Sequence, residues 1–186
     1  MQRSPKILLT GLPGTGKTTI VARLAALLGE KAAGFYTVEL REKGQRVGFK
    51  LITLGGREEV LAHTGFPSPH RVGKYGVNLA SLGPAMSEIA AVLAQAAPRC
   101  LLIDEIGKME LLVPGFKELI LRVFESPFPV VATVPLKPLP FTDNLKKRPD
   151  ATLIQVTASN RGELPAMIYD NFSALRAKNN LGGRSE

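Results

Sequence analysis

The stretch Gly11-Leu12-Pro13-Gly14-Thr15-Gly16-Lys17-Thr18 (GLPGTGKT) decides the fold of this chain. It follows the apolar segment Lys6 to Thr10, which reads as a buried strand. It precedes the segment Lys17 to Leu28, in which apolar residues recur at helical spacing. The spacing G-x-x-x-x-G-K-[ST] between a strand and a helix is typical of a loop that wraps phosphate groups. The sequence therefore predicts a polyphosphate site that includes all eight residues.

The residue types of this loop suit a dense negative charge. Gly14 and Gly16 allow the backbone to bend and to turn its N–H groups inward. The helix that begins near Lys17 directs the positive end of its dipole at the same place, and the lysine reaches the β- and γ-phosphates. Thr18 offers a hydroxyl to Mg²⁺, and Thr19 is a candidate contact of the α-phosphate. Phosphate binding alone does not distinguish a hydrolase from a kinase or a switch, and a glycine-rich turn can also merely link a strand to a helix.

A second acidic stretch, Leu101-Leu102-Ile103-Asp104-Glu105, reads as an apolar strand that ends in two carboxylates. The carboxyl ends of parallel strands form the edge at which ligands bind. We therefore expect Asp104 to hold Mg²⁺ through water beside Thr18. Glu105 is then placed to take a proton from an attacking water. The alternative is a solvated strand end without a catalytic role.

The residues after this acidic pair allow several interpretations. Asp104 to Gly107 reads D-x-x-G, in which the Gly107 N–H can meet the γ-phosphate, but the guanine-selecting N-K-x-D is absent. Lys108 and Glu110 are either catalytic or simply paired with each other in a helix. The sequence leaves both interpretations open.

Two further candidates lie after other predicted strands. Thr133 can sense the γ-phosphate or orient the water, or it can cap its own backbone. Arg161 can stack on the base or neutralise phosphate charge, or it can lie on a surface helix start whose cap is Asn160. Further candidate cations are Arg41, Arg71 and Lys74.

The chain of 186 residues is long enough for one domain with a core, which we assign to residues 1–178, with a basic, flexible tail at 179–186. Strands and helices alternate, which predicts an α/β fold with a mostly parallel sheet covered on both faces. A β-hairpin (Gly34 to Arg41 and Arg46 to Leu54) is inserted after the first helix, and His63 to Tyr75 reads as a loop.

The composition indicates the cellular location and the kind of partner to expect. No leader peptide or membrane span is expected, and the single cysteine fits a reducing, cytoplasmic interior. The net charge of +8 favours anionic partners, either nucleotides or a nucleic acid backbone, although it also fits dispersed surface charge.

Taken together, the motifs resemble the small P-loop nucleoside-triphosphatases first described from thermophiles, relatives of a human cancer-related nucleoside-triphosphatase. The resemblance covers nearly the whole chain. The stretches that carry it are Gly11–Thr18 (Walker A), Gly34-Phe35-Tyr36-Thr37, Gly48-Phe49, Val72-Gly73-Lys74-Tyr75, Asp104-Glu105-Ile106-Gly107-Lys108-Met109-Glu110-Leu111 (containing Walker B) and Asn160-Arg161. The family's second glutamate after Gly-Phe-Tyr-Thr appears here as Val38-Glu39, so that acidic position is shifted or lost.

The resemblance implies a RecA-like, ASCE-type three-layer sandwich with a mostly parallel sheet and the hairpin insert. It also implies a largely monomeric enzyme that slowly removes the terminal phosphate from ATP, GTP and other nucleoside triphosphates with Mg²⁺ and little base preference. Lys17, Thr18, Asp104 and Glu105 would carry the chemistry. The rival functions are a nucleotide or small-molecule kinase, whose lid would be Lys137 to Arg148, and a nucleotide-gated switch that binds RNA or protein.

Overall fold

A single nine-stranded sheet organises the chain in the computed structural model, which describes residues 4–95 and 99–182, with side chains as far as residue 174. Two short 3₁₀ helices, Gly29–Lys31 and Glu110–Leu112, accompany the regular elements. In chain order the strands and helices are β1 (Lys6–Thr10), α1 (Lys17–Leu28), β2 (Ala32–Glu42), β3 (Gln45–Thr53), β4 (Glu58–His63), β5 (Arg71–Val72), β6 (Tyr75–Val77), α2 (Gly83–Ala94), β7 (Cys100–Ile103), α3 (Phe116–Glu125), β8 (Val130–Thr133), α4 (Pro140–Lys146), β9 (Ala151–Gln155) and α5 (Leu164–Gly182).

The strand order is β5-β6-β4-β3-β2-β7-β8-β1-β9. The five strands β2, β7, β8, β1 and β9 run parallel, and the other four continue from β2 in antiparallel pairing. Because β8 lies between β7 and β1, the strand that ends before Asp104 is not adjacent to the strand that precedes the glycine loop.

Helices cover both faces of the sheet because side chains alternate along each strand. On β1, Leu8 packs into a core with α2 and α3, whereas Ile7 and Leu9 pack on the opposite face with α1 and α5. Leu101 and Leu102 divide in the same way on β7. The predicted three-layer α/β architecture is thereby confirmed.

Helix α1 begins immediately after Gly16, whose φ of 101° lies in the left-handed region that glycine adopts most readily. Its buried face is formed by Ile20, Val21, Leu24 and Leu28, at the helical spacing seen in the sequence. The helix therefore directs its N-terminus at the loop and its apolar stripe at the sheet.

One prediction for the β-rich region is confirmed and one needs correction. The hairpin insert is present as β2 and β3, and the first residues of β2 also pair in parallel with β7 before the strand continues into the antiparallel part. The segment His63 to Tyr75 is not wholly a loop, since it contains β5 and the start of β6, and β6 pairs with β4. Local glycine and proline content concealed these pairings, of which β5–β6 is a short hairpin with Val72 opposite Tyr75.

The predicted cap of the last helix also needs correction. Helix α5 begins at Leu164, so Asn160 is not its cap. Instead the Asn160 Oδ1 accepts the Thr157 N–H at 2.9 Å, and its Nδ2 donates to the Gln155 carbonyl at 2.9 Å. The backbone of α5 covers residues 179–182 of the predicted tail, while residues 183–186 lie outside the described residues. Among the residues that the structure describes, no helix combines the length and apolar character needed to cross a bilayer.

Candidate functional site

The glycine loop lies open at the carboxyl end of β1. Leu12 is 62% exposed, and Pro13 and Gly14 are exposed as well. The Lys17 Nζ donates to the Gly11 carbonyl at 3.0 Å and to the Leu12 carbonyl at 3.2 Å. The lysine ammonium is therefore held against the loop that the sequence assigned to phosphate.

The carboxylate of Asp104 connects three predicted site residues. Asp104 follows β7 directly and is only 1% exposed. Its Oδ2 accepts the Thr18 hydroxyl at 2.7 Å, and its Oδ1 accepts the Thr133 hydroxyl at 2.6 Å. The Thr37 N–H makes a longer contact of 3.5 Å with Oδ2. Residues at the ends of α1, β7 and β8 thus meet at the Asp104 carboxylate.

Burial raises the pKa of Asp104, and the hydrogen bonds from Thr133 and Thr18 only partly oppose this effect. The carboxylate and the Thr18 hydroxyl are the hard oxygen donors that Mg²⁺ prefers. In residues 4–95 and 99–182, no three His, Cys, Asp or Glu side chains surround a metal position. A magnesium ion held by Thr18 and Asp104 would therefore complete its shell with water and phosphate, as is usual for this ion.

Glu105 lies close enough to both Asp104 and Lys17 to feel their charges. Burial and then the Asp104 charge raise the pKa of Glu105, while the Lys17 charge lowers it. A carboxyl with a raised pKa is better matched to proton transfer near neutral pH than an ordinary surface glutamate. The acidic pair is therefore near enough to the lysine of the loop for their charges to interact.

The turn after the acidic pair places Glu110 in the protein interior. Glu110 is 5% exposed, and its Oε2 accepts the Gly107 N–H at 3.1 Å. The Gly107 N–H that was expected to meet the γ-phosphate is thus bonded to this carboxyl. Lys108 is exposed, and no described residue forms an ion pair with Glu110. Of the two interpretations that the sequence left open, a Lys108–Glu110 ion pair is therefore not found among the described residues.

Arg161 lies beside the loop. A methyl group built at Gly16 would come within 3.4 Å of the Arg161 Cδ. The exposed Arg161 side chain is therefore close to the start of α1. Thr19 is exposed on the first turn of that helix. Both positions agree with the predicted placement at the loop without assigning a role.

The other candidate cations are engaged on the antiparallel part of the sheet. Arg41 bonds to Glu39 at 2.6 Å, which leaves the Glu39 carboxylate in an exposed ion pair. The Arg71 Nη2 donates to the Lys74 carbonyl at 2.6 Å, and the Lys74 ammonium lies over the Tyr75 ring.

Sequence reasoning missed two features of the site. Thr37 directs its backbone N–H at Asp104, although its stretch had been singled out only by resemblance. The burial of Glu110 was also missed. The available signal was its position in the sequence, between Met109 and the leucines that follow it.

Comparison with known proteins identifies the family of this chain. Residues 6–169 match the model of the NTPase family. The chain is 47% identical over 162 residues to Nucleoside-triphosphatase THEP1 from Thermotoga sp. (strain RQ2), which covers 86% of this chain and 90% of that protein. It is 35% identical over 173 residues to the Homo sapiens cancer-related nucleoside-triphosphatase, at 85% and 91% coverage.

Two solved structures share the fold. The crystal structure of THEP1 from Aquifex aeolicus superposes with a TM-score of 0.80 at 35% identity, covering 88% of this chain and 96% of that one. The solution structure of the human cancer-related nucleoside triphosphatase gives a TM-score of 0.76 at 32% identity, covering 91% and 98%. With a family model that spans most of its length, this chain belongs to the NTPase family.

Proposed function

We propose that this protein hydrolyses nucleoside 5′-triphosphates to the diphosphate and inorganic phosphate. Family membership supports hydrolysis of nucleoside triphosphates in general. The observation that carries the site assignment is the meeting of Thr18, Asp104 and Thr133 at one buried carboxylate beside Lys17 and Glu105.

The chain's own groups divide the work. The loop N–H groups at the start of α1 and the Lys17 ammonium bind the phosphate tail and stabilise the negative charge that moves onto the leaving diphosphate. Lys17 would exchange its two loop carbonyls for phosphate oxygens. Glu105 orients a water and accepts its proton as that water attacks the terminal phosphorus. Arg161, beside Gly16, is placed to add positive charge at the phosphates or to contact the base.

Thr18 and Asp104 would hold Mg²⁺, and Thr133 fixes the carboxylate that does so. When bound, the ion neutralises charge between the terminal phosphates. Both Asp104 oxygens are already oriented by hydroxyl donors, so the carboxylate needs little rearrangement to take up this role.

The finer properties are part of the same proposal. We infer a slow, Mg²⁺-dependent enzyme with broad base preference that acts as a cytoplasmic monomer on ATP, GTP and other nucleoside triphosphates. The absence of N-K-x-D in the sequence supports the lack of guanine selection.

The kinase alternative receives little support from the candidate lid. Part of that segment is the helix α4, and the Lys146 ammonium bonds to the Pro135 carbonyl at 2.8 Å and to Asp143 at 3.0 Å. Arg148 pairs with Asp150 at 2.9 Å. These cations are engaged within the fold, which argues against a mobile basic lid. A switch that binds RNA or protein remains an outcome that the assay can detect.

The test is a phosphate-release panel over common ribo- and deoxyribonucleoside triphosphates, with and without Mg²⁺, nucleosides and RNA. Lys17→Ala should abolish turnover. Glu105→Gln should retain nucleotide binding while turnover falls about 10²- to 10⁴-fold, the usual contribution of a general base. Equal loss of binding in both variants would contradict the division of roles. Phosphate transfer to an added nucleoside would support the kinase instead, and stimulation by RNA would favour the switch.

A further inference from the structure

Glu110 is a buried acid that the mechanism above leaves unused. It is 5% exposed and begins the 3₁₀ helix Glu110–Leu112. Its neighbours Met109 and Leu111 pack against the core on the α2 and α3 face. An acidic side chain is rarely kept in such surroundings unless its carboxyl group has a specific partner.

That partner is the turn that follows the acidic pair. The Glu110 Oε2 accepts the Gly107 N–H at 3.1 Å, and the Gly107 carbonyl accepts the Leu111 N–H at 3.0 Å. Both backbone polar groups of Gly107 are therefore tied to the segment that contains Glu110. The turn is also joined to β8, because the Ile106 N–H donates to the Thr133 carbonyl at 2.9 Å.

Glu105 adjoins the same glycine. A methyl group built at Gly107 would lie 2.8 Å from the Glu105 Oε1 and 2.9 Å from the Glu110 Oε2. Both carboxyl groups therefore lie close to Gly107, where a larger residue would place its side chain. A displacement of Gly107 would move the surface against which Glu105 rests.

The protonation of Glu110 suits this position. The pKa of Glu110 is raised to about 8, chiefly by burial, while its backbone hydrogen bonds oppose the rise and the nearby Glu105 charge contributes to it. A neutral carboxyl can accept the Gly107 N–H without placing a second negative charge beside Glu105. An amide side chain of the same shape can do the same.

We propose that Glu110 is a positioning residue that fixes the Gly107 turn and thereby orients Glu105 toward the attacking water. The proposal rests on the proposed function, because it assigns Glu110 to the support of Glu105 in that reaction. Glu110 itself neither contacts the nucleotide nor transfers a proton.

The test compares Glu110→Leu with Glu110→Gln in the full chain, with the exposed Glu118→Gln as a matched control. The measurements are kcat and KM with ATP, the Kd of a fluorescent ATP analogue, and thermal unfolding. Glu110→Leu should lower kcat about 10²-fold, the effect of misplacing a catalytic group by about 1 Å, with Kd within about twofold of the wild type. Glu110→Gln should restore kcat to within about threefold of the wild type, since the amide oxygen can still accept the Gly107 N–H.

A second variant keeps the test decisive if Glu110→Leu does not fold. Gly107→Ala keeps the Glu110 side chain, but the added methyl group would displace the Glu105 and Glu110 carboxyl groups. It should therefore also lower kcat more than tenfold with little change in Kd. A folded Glu110→Leu protein with unchanged kcat would overturn the proposal, as would parallel losses of kcat and nucleotide affinity. Glu110→Gln as slow as Glu110→Leu would overturn it too, because Glu110 would then transfer the proton itself. If instead the wild type released no phosphate in a Lys17-dependent way, the proposed function would fail.

Discussion

Replacing Thr133 by valine removes one hydroxyl from the centre of the site while conserving volume. Thr133 is fully buried at the end of β8, and its hydroxyl donates to the Asp104 Oδ1 at 2.6 Å. The substitution therefore takes a hydrogen-bond donor away from a buried carboxylate and changes little else.

The size of the effect follows from the geometry. A hydrogen bond to a charged group contributes about 1.5–3 kcal/mol, and about 1.4 kcal/mol corresponds to a factor of ten. Burial already raises the pKa of Asp104, and the Thr133 bond is the largest opposing contribution. Its loss disfavours the ionised form that Mg²⁺ requires. We expect the Mg²⁺ concentration for half-maximal phosphate release to rise about 10- to 100-fold.

The matched control is Thr142→Val on α4. Thr142 is also fully buried, but its hydroxyl donates to the Leu139 carbonyl at 3.1 Å, outside the site. The assay is a Mg²⁺ titration of phosphate release at saturating ATP, together with urea unfolding in the presence of a chelator. Thr142→Val should lose about 1 kcal/mol of stability, the usual net contribution of one neutral hydrogen bond, and Thr133→Val about 1.5–3 kcal/mol where Asp104 is ionised. Only Thr133→Val should shift the Mg²⁺ midpoint.

Two results would refute this reasoning. If Thr133→Val kept the wild-type midpoint, the hydroxyl would not control the charge of Asp104. If Thr142→Val shifted the midpoint equally, the shift would report general loosening of the fold rather than the bond to Asp104.

Three further predictions concern pH, the buried lysine and the loop. Burial raises the pKa of Glu110 from 4.5 to about 8, so the folded state binds more protons than the unfolded state between these two pH values. The free energy of unfolding should fall with rising pH there, by up to about 1.4 kcal/mol per pH unit, and Glu110→Gln should reduce this slope in chelator-containing urea melts. Lys6 donates to the Ser126 carbonyl at 2.8 Å and also to the Val123 and Phe128 carbonyls, and burial lowers its pKa to about 8 from 10.5. The Lys6 contribution to the free energy of unfolding should therefore increase as pH rises above 8. Lys6→Met should remove that increase. The same substitution should lower the free energy of unfolding by about 1–3 kcal/mol, because it leaves the carbonyls unpaired. Gly16→Ala should weaken binding of a fluorescent ATP analogue about tenfold or more, because left-handed backbone costs about 1–2 kcal/mol for other residues and the added methyl approaches Arg161. The control Gly162→Ala, with open space around it, should bind normally, and equal binding by both variants would contradict the strain argument.

The sequence predicted those elements whose signals are local. The bounds of β1 and α1 agree with the structure because an apolar run, a glycine-rich turn and a helical repeat follow one another directly. The β5–β6 pair was not foreseen, because its stability depends on pairing with β4 rather than on its own residues. Asn160 satisfied the residue preference for a helix cap, yet its side chain closes the preceding turn instead.

The site shows the same division. The contact between Thr18 and Asp104 could be expected from two motifs at the edge of one parallel sheet. The bond from Thr133 to Asp104 could not, because it requires β8 to lie between β7 and β1, and strand order is not encoded locally. The burial of Glu110 likewise depends on how the turn after Gly107 packs against the core.

Three buried acids at the site do not stabilise the fold of the free protein. Burial raises the pKa of Asp104, Glu105 and Glu110, and none of the three has an ion-pair partner among the residues that the structure describes. Each raised pKa means that the folded state disfavours the charged carboxylate, so these groups reduce stability at neutral pH. Natural proteins retain such unfavourable groups mainly where function requires them. If the acids serve nucleotide chemistry, bound Mg²⁺–nucleotide should relieve this cost. Stabilisation by the nucleotide should then shrink when Asp104 is replaced by asparagine, in a thermal-shift titration with a non-hydrolysable ATP analogue. A ligand-induced shift that stayed as large in Asp104→Asn as in the wild type would show that Asp104 is buried for structural reasons alone.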